Sequence, residues 1–151
     1  ISPLSLLLGK AMIGVVRGLI SSTAFMMVAL LIAPAFSVEP LFLVSLLVTC
    51  LAFAFLGVLA ALLAKSHEDM ATFGSLILLP MTFLGGTFFS VSQVPAALKF
   101  ALYALPLTHS STCLRAAALG QPFPWESLFA IGSFWLVFFV GCNLVLKRAS
   151  I

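Results

Sequence analysis

Four long stretches of this chain carry no charged side chain: residues 18–38, 41–64, 70–89 and 127–146. A helix rises about 1.5 Å per residue, so roughly 20 residues cross the ~30 Å hydrocarbon core of a bilayer, and each stretch is long enough to do so. Every Lys, Arg, Asp and Glu falls outside these runs. A water-soluble domain is about 25% charged; this chain is 63% hydrophobic and 7% charged, with a mean hydropathy of +1.29, and no single core could hide that much apolar surface from water. The predicted fold is all-α: a polytopic membrane protein with four transmembrane helices plus an extracytoplasmic re-entrant or interfacial helical segment.

The charges between the runs set the spans, expected at about 14–36, 41–64, 70–89 and 126–146. Lys10 and Arg17 lie two turns apart, so their stems can snorkel to the headgroups, and the first helix is expected to start in this region. Glu39 and Pro40 form a short hinge that predicts an antiparallel helix pair. Lys65, Ser66, His67, Glu68 and Asp69 form the most polar segment, read as a tight loop in water whose acidic pair favours the N-terminus of the next helix. Pro80 lies inside the third run and predicts a kink. Pro95, Pro106, Gly120, Pro122 and Pro124 then break the chain, and the apolar run 100–113 is too short to cross. Residues 94–120 are therefore expected to dip into the membrane or lie on it. Basic residues collect on alternate sides, Lys10, Arg17, Lys65, Lys147 and Arg148 against Lys99 and Arg115, which predicts both termini of this segment in the cytoplasm. The chain opens on Ile1 without signal-peptide features, and reads as a fragment or a trimmed product.

Several chemistries are excluded by absence of their motifs. No G-x-x-x-x-G-K-[ST] phosphate loop and no G-x-S-x-G elbow occur, and the two histidines, His67 and His109, are assigned to opposite sides. Cys50, Cys113 and Cys142 show no CxxC spacing, so neither a disulfide nor a metal is assigned, and no cofactor is implied. The basic residues form no patch for nucleic acid. No carboxylate or histidine lies in the spanning runs, which argues against a proton relay and for an apolar or amphipathic cargo. Thr108, His109, Thr112 and Arg115 share a helical face; they read either as caps and solvators of a re-entrant helix or as contacts at the exit of a pathway. Gly14 and Gly18 have the spacing for close helix packing, with Arg17 between them. Phe88 and Phe89 read as lipid-facing or core residues before they read as a cargo box.

Phe83-Leu84-Gly85-Gly86-Thr87-Phe88-Phe89-Ser90-Val91-Ser92-Gln93-Val94-Pro95 resembles a signature of the type-2 ABC exporter permease family, and Ala104-Leu105-Pro106-Leu107-Thr108-His109, followed by Leu114-Arg115 and Gly120, is similar to its stretch before the last helix. Ser90 stands where many members carry proline. The resemblance covers nearly the whole chain and implies the C-terminal part of a permease subunit, without its first two helices, in a bacterial cytoplasmic membrane. It implies a dimer with a second permease copy, contact with membrane lipid, and a separate ATP-binding cassette subunit that hydrolyses ATP. The family includes drug, polysaccharide and nodulation-factor exporters. By position, Lys10, Lys65, His67, Glu68 and Asp69 are expected to contact the ATPase subunit. Gly85, Gly86, Phe88, Phe89, Pro106, Thr108, His109 and Arg115 are expected to form the gate or cargo pathway, none of them catalytic. Two other classes share the hydropathy: a non-transporting membrane scaffold or assembly factor, and a membrane enzyme centred on residues 108–115, where a paired acid and base is lacking.

Overall fold

The computed structural model describes residues 2–86, 88–89 and 91–149; Thr87 and Ser90, two positions of the glycine-phenylalanine segment, lie outside the described residues. Among the described residues every regular element is helical: α1 (Pro3–Ile32), α2 (Pro40–Leu63), α3 (His67–Phe73), a π-helical turn (Gly74–Leu78), α4 (Leu79–Leu84), a 3-10 turn (Val91–Gln93), α5 (Ala96–Tyr103), α6 (Pro106–Ala118) and α7 (Trp125–Ala149).

The first helix does not wait for Lys10. Ser2 caps it, its Oγ accepting from the Ser5 N–H at 3.2 Å, and Pro3 occupies the first helical position, where its fixed φ suits the helix and its missing N–H costs nothing. At the other end α1 stops at Ile32 and not at 36, because Pro34 disfavours helical backbone at the residue before it. A helix of 30 residues rises about 45 Å, more than the ~30 Å hydrocarbon core, so one end must extend beyond it or the helix must tilt.

The third run is helical from 67 to 84 but not uniformly so. Ser66 and Asp69 form a reciprocal capping box: Ser66 Oγ accepts from the Asp69 N–H at 3.2 Å, and Asp69 Oδ2 accepts from the Ser66 N–H at 3.2 Å and the Lys65 N–H at 2.8 Å. The expected distortion near Pro80 takes the form of the π turn just before it, where the Leu79 N–H reaches back to the Gly74 carbonyl. Proline has no N–H and crowds the carbonyl of the preceding turn, and one wider turn absorbs the mismatch.

Three helices, α1, α2 and α7, are each long and apolar enough to cross a membrane, and α2 is the centre of their packing. It runs antiparallel to α1, where a Cβ added to Gly14 would lie 3.1 Å from Ala54 Cβ and one added to Gly18 would lie 3.1 Å from Cys50 Sγ. The glycine pair thus brings two backbones close, with Arg17 lying between its members in sequence. Along α7 the packing is parallel: Phe55 meets Phe139 at 5.4 Å and Trp135 at 6.4 Å between ring centroids, and Cys142 Sγ donates to the Phe55 carbonyl at 3.5 Å. Ala11, Ala52 and Ala60 are buried along with Leu7, Phe55 and Ile131, while the outside is as apolar as the inside, with Leu31 85% and Phe25 77% exposed. Ser45, Thr49, Thr23, Thr82 and Ser133 return their hydroxyls to the carbonyl four residues back. Both features suit a lipid solvent, which cannot hydrogen-bond an exposed polar group.

The helix directions gather charge at two ends. Leu7 and Ala11 pack with Phe55, Leu59, Leu62, Cys142 and Leu146, so the start of α1 lies beside the ends of α2 and α7, bringing Lys10, Lys65, Lys147 and Arg148 to one end. At the opposite end the Ser37 N–H donates to the Ala118 carbonyl at 3.2 Å, tying the α1–α2 connection to α6.

A polar hairpin that caps a neighbouring helix

The 94–120 segment holds two helices, α5 and α6. Pro106 sets the first turn of α6 and pushes Leu105 into extended backbone, which separates α6 from α5. At its far end Gly120, at φ +65°, lets the Gln121 N–H close onto the Ala116 carbonyl at 2.9 Å, a left-handed stop that relieves the last carbonyls. Between these signals Thr108, His109, Ser110, Cys113, Ala116, Ala117 and Ala118 are buried. Ala117 and Ala118 pack on Phe42, and Cys113 on Ala52 and Ile131, so α6 runs antiparallel beside the first half of α2. Small residues let it enter between α2 and α7.

Its other face closes the end of α4. Ser111 Oγ donates to the Gly85 carbonyl at 2.6 Å and an Arg115 guanidinium N–H donates to the Gly86 carbonyl at 2.7 Å. These carbonyls belong to the C-terminal cap of α4, where helical backbone leaves acceptors without intrahelical partners and partial negative charge accumulates. A cation there is favourable twice over. Gly86 sits at φ +79°, in the left-handed region that costs an ordinary residue about 1–2 kcal/mol. A Cβ on Gly85 would lie 2.7 Å from the Met81 carbonyl and 3.0 Å from the Leu107 side chain. The double glycine is therefore what allows α6 to approach.

The expected pathway residues are divided by the fold. Gly85, Gly86 and Arg115 form one unit, completed by Ser111. Pro106 is buried as the first residue of α6, its carbonyl accepting from Ser110 Oγ at 3.2 Å. His109 turns elsewhere: its Nε2 lies 2.8 Å from the Tyr103 carbonyl and its Nδ1 3.3 Å from Ser127 Oγ. A carbonyl only accepts, so Nε2 carries a hydrogen and donates it to Tyr103. His109 thereby pins α6 to the end of α5 and the start of α7. Thr112 Oγ1 donates to the Thr108 carbonyl at 2.7 Å, whereas Thr108 Oγ1 is buried without a partner among the described residues. Phe88 is exposed and stacks on Phe83 at 5.4 Å, and Phe89 is half-buried. Thus Thr108, His109, Thr112 and Arg115 serve different contacts.

Ser111, Ser127 and Tyr103 were not singled out by sequence. Ser111 lies one turn before Arg115, a spacing that places both on one face; Tyr103 contributes a backbone carbonyl, for which no side-chain signal exists. At the other end Lys10, Lys65, His67, Glu68 and Asp69 are all exposed, but Asp69 holds the capping box and so has a structural duty that Glu68 lacks.

The model of the family described as ABC-2 type transporter matches residues 1–119. Nodulation protein J of Neorhizobium galegae is 37% identical over 106 residues, covering 68% of this chain and 40% of that protein. Nodulation protein J of Rhizobium leguminosarum bv. viciae is 41% identical over 75 residues, 50% of this chain and 29% of that one. The inner membrane transport permease YadH of Escherichia coli K12 is 27% identical over 139 residues, 89% of this chain and 54% of that one. The chain thus spans about half or less of the length of these relatives. No solved structure matches it.

Proposed function

Because this chain belongs to the ABC-2 type transporter family, whose members are membrane transport subunits and not themselves enzymes, we propose that it is part of the permease of an ATP-driven exporter in a bacterial cytoplasmic membrane. The cargo is apolar or amphipathic, and the permease works as a dimer with a separate ATP-binding cassette subunit. The observation that carries this reading is the family match across 1–119, which takes in both the exposed 65–69 turn and the contact of α4 with α6. Four crossings are proposed: α1, α2, the 67–84 helical run and α7. The 67–84 run rises about 27 Å, close to the hydrocarbon thickness. The basic end formed by Lys10, Lys65, Lys147 and Arg148 is assigned to the cytoplasm, and α5–α6 is then a re-entrant hairpin on the opposite side.

In this reading the ATPase subunit pushes the 65–69 turn, with Lys10, Lys65, His67 and Glu68 as its contacts. The 67–84 run carries the displacement to Gly85 and Gly86, where Ser111 and Arg115 pass it to the hairpin. Such a rigid lever needs one point that can change pitch, and the π turn before Pro80 supplies it. Pro80→Ala removes the reason for the wider turn, and several-fold slower transport at unchanged membrane expression is expected; an unchanged rate would remove Pro80 from the mechanism.

Co-purification of the full-length permease with the ATP-binding subunit encoded beside it tests the proposal. A stable complex with membrane-stimulated ATPase activity is expected. Glu68→Ala should weaken the complex without altering thermal stability, since its carboxylate is exposed and has no hydrogen-bonding partner among the described residues. Asp69→Ala should weaken it and also loosen the start of α3 by about 1 kcal/mol, visible as faster amide exchange at 67–73. Absence of any association would favour a membrane scaffold instead.

A further inference from the structure

We propose that the cleft between α5, α6 and the 121–124 turn binds a phosphate group that carries net negative charge. The cavity measures about 290 Å³ and is lined by Lys99, Tyr103, Ser111, Thr112, Arg115 and Gln121, among others. This is room for a phosphate and a small substituent, not for a whole lipid or a long chain. Lys99 and Tyr103 are one turn apart on α5 and share its face. Arg115 reaches the cleft from α6 with one guanidinium N–H on the Gly86 carbonyl at 2.7 Å, which orients its fork of five donors.

The lining has donors and positive charge without a compensating acid. Ser111 and Thr112 direct their hydrogens to backbone carbonyls. The ammonium of Lys99, the phenol of Tyr103 and the amide of Gln121 have no hydrogen-bonding partner among the described residues and line the cleft beside the Arg115 guanidinium. Among the described residues no Asp or Glu lines this cavity; Glu126 lines the adjoining one, with His109 and Ser127. Lys99 is half-buried and has no ion-pair partner among the described residues. Two cations beside a low-dielectric wall repel each other, and an anion between them relieves that cost. Tetrahedral phosphate oxygens can accept from several converging donors at once, as the mixture of ammonium, guanidinium, phenol and amide requires. The inference does not depend on transport, and its test measures binding.

The phosphate can come from a phospholipid headgroup or from a soluble phosphate-bearing molecule, and two arms separate these sources. In the first, the full-length protein in nanodiscs of phosphatidylcholine with phosphatidylglycerol is analysed by native mass spectrometry for retained anionic lipid. In the second, inorganic phosphate is titrated calorimetrically in detergent, with acetate as the comparison anion. Lys99→Gln removes one charge-assisted contact and should weaken binding roughly tenfold, while Lys99→Arg and the distant Lys65→Gln retain it. A tenfold loss of phosphatidylglycerol alone identifies the headgroup as the occupant, and a tenfold loss of inorganic phosphate affinity identifies the soluble source. Equal binding by Lys99→Gln and the natural protein in both arms, or acetate bound as well as phosphate, overturns the proposal. Lys99→Arg keeps the test decisive if Lys99→Gln lowers the yield, because charge retention must then rescue binding along with yield.

Discussion

Gly85→Val is expected to destroy the junction between α4 and α6 and to lower stability on the order of 3 kcal/mol. The reason is where the new atoms must go. A Cβ at this position would meet the Met81 carbonyl at 2.7 Å, and that oxygen is backbone, already accepting from the Gly85 N–H at 2.8 Å. It cannot rotate aside as a side chain can. Leu107, 3.0 Å away, would be pushed off as well, carrying with it the first turn of α6. Gly86→Ala should cost less, about 1–2 kcal/mol, because it meets the left-handed penalty with milder contacts, the tightest being Val91 Cγ2 at 3.1 Å. Gly132→Ala is the matching control: beyond its chain neighbours and the backbone of its own helix, no atom of the described residues lies within 4 Å of its added Cβ, and alanine favours a helix by about 1 kcal/mol. Thermal unfolding of the three variants in detergent should rank them Gly132→Ala, Gly86→Ala, Gly85→Val in falling order. If Gly85→Val melts with the natural protein, the close approach of α6 to α4 is not a determinant of the fold.

Arg115→Met is expected to lower stability by about 1.5–3 kcal/mol, the range for a hydrogen bond made by a charged group. Methionine keeps much of the apolar stem, so the change removes charge and donors more than packing. It strips the Gly86 carbonyl of its 2.7 Å donor at a helix C-terminus, where the cation is also favoured by the dipole. Ser111→Ala removes the neighbouring 2.6 Å bond to the Gly85 carbonyl and should cost about 1 kcal/mol. Because both donors hold adjacent carbonyls of one cap, the double variant should depart from additivity by at least 0.5 kcal/mol; strict additivity would mean that the two bonds act independently. Arg115→Lys should recover only part of the loss, since one compact ammonium cannot reproduce a planar fork. If the cap also transmits motion, transport should fall further in Arg115→Met than in a variant of equal stability altered elsewhere.

The helices were legible because lipid and proline write simple rules into a chain. Pro40 opens α2 within one residue of the expected start, and the 127–146 run lies inside α7, bounded by Trp125 and by Lys147 and Arg148. α1 starts ahead of the expected Lys10–Arg17 region because Ser2-Pro3, a cap followed by proline, is a stronger local signal than the interface charges. The 65–69 turn is legible as polar, but Glu68 and Asp69 are alike in sequence, and only the capping box makes Asp69 a structural carboxylate. Likewise Thr108, His109, Thr112 and Arg115 shared a predicted face, yet a residue's partner depends on which neighbour the hairpin meets, and spacing along one helix does not contain that.

What the sequence alone determined is that this chain is an all-helical membrane protein, because charge-free runs of bilayer length can satisfy their backbone groups only as helices. It also marked the Gly85-Gly86 pair and Arg115 as unusual. Tertiary structure alone decided that these belong together. Ser111 and Arg115 lie on a different helix from the carbonyls they cap, and the bare backbone of Gly85 and Gly86 against Leu107 and Ser111 lets the two helices come within hydrogen-bonding distance. Local propensity and solvent choose the elements; the partners of their unsatisfied ends are chosen by which surfaces fit.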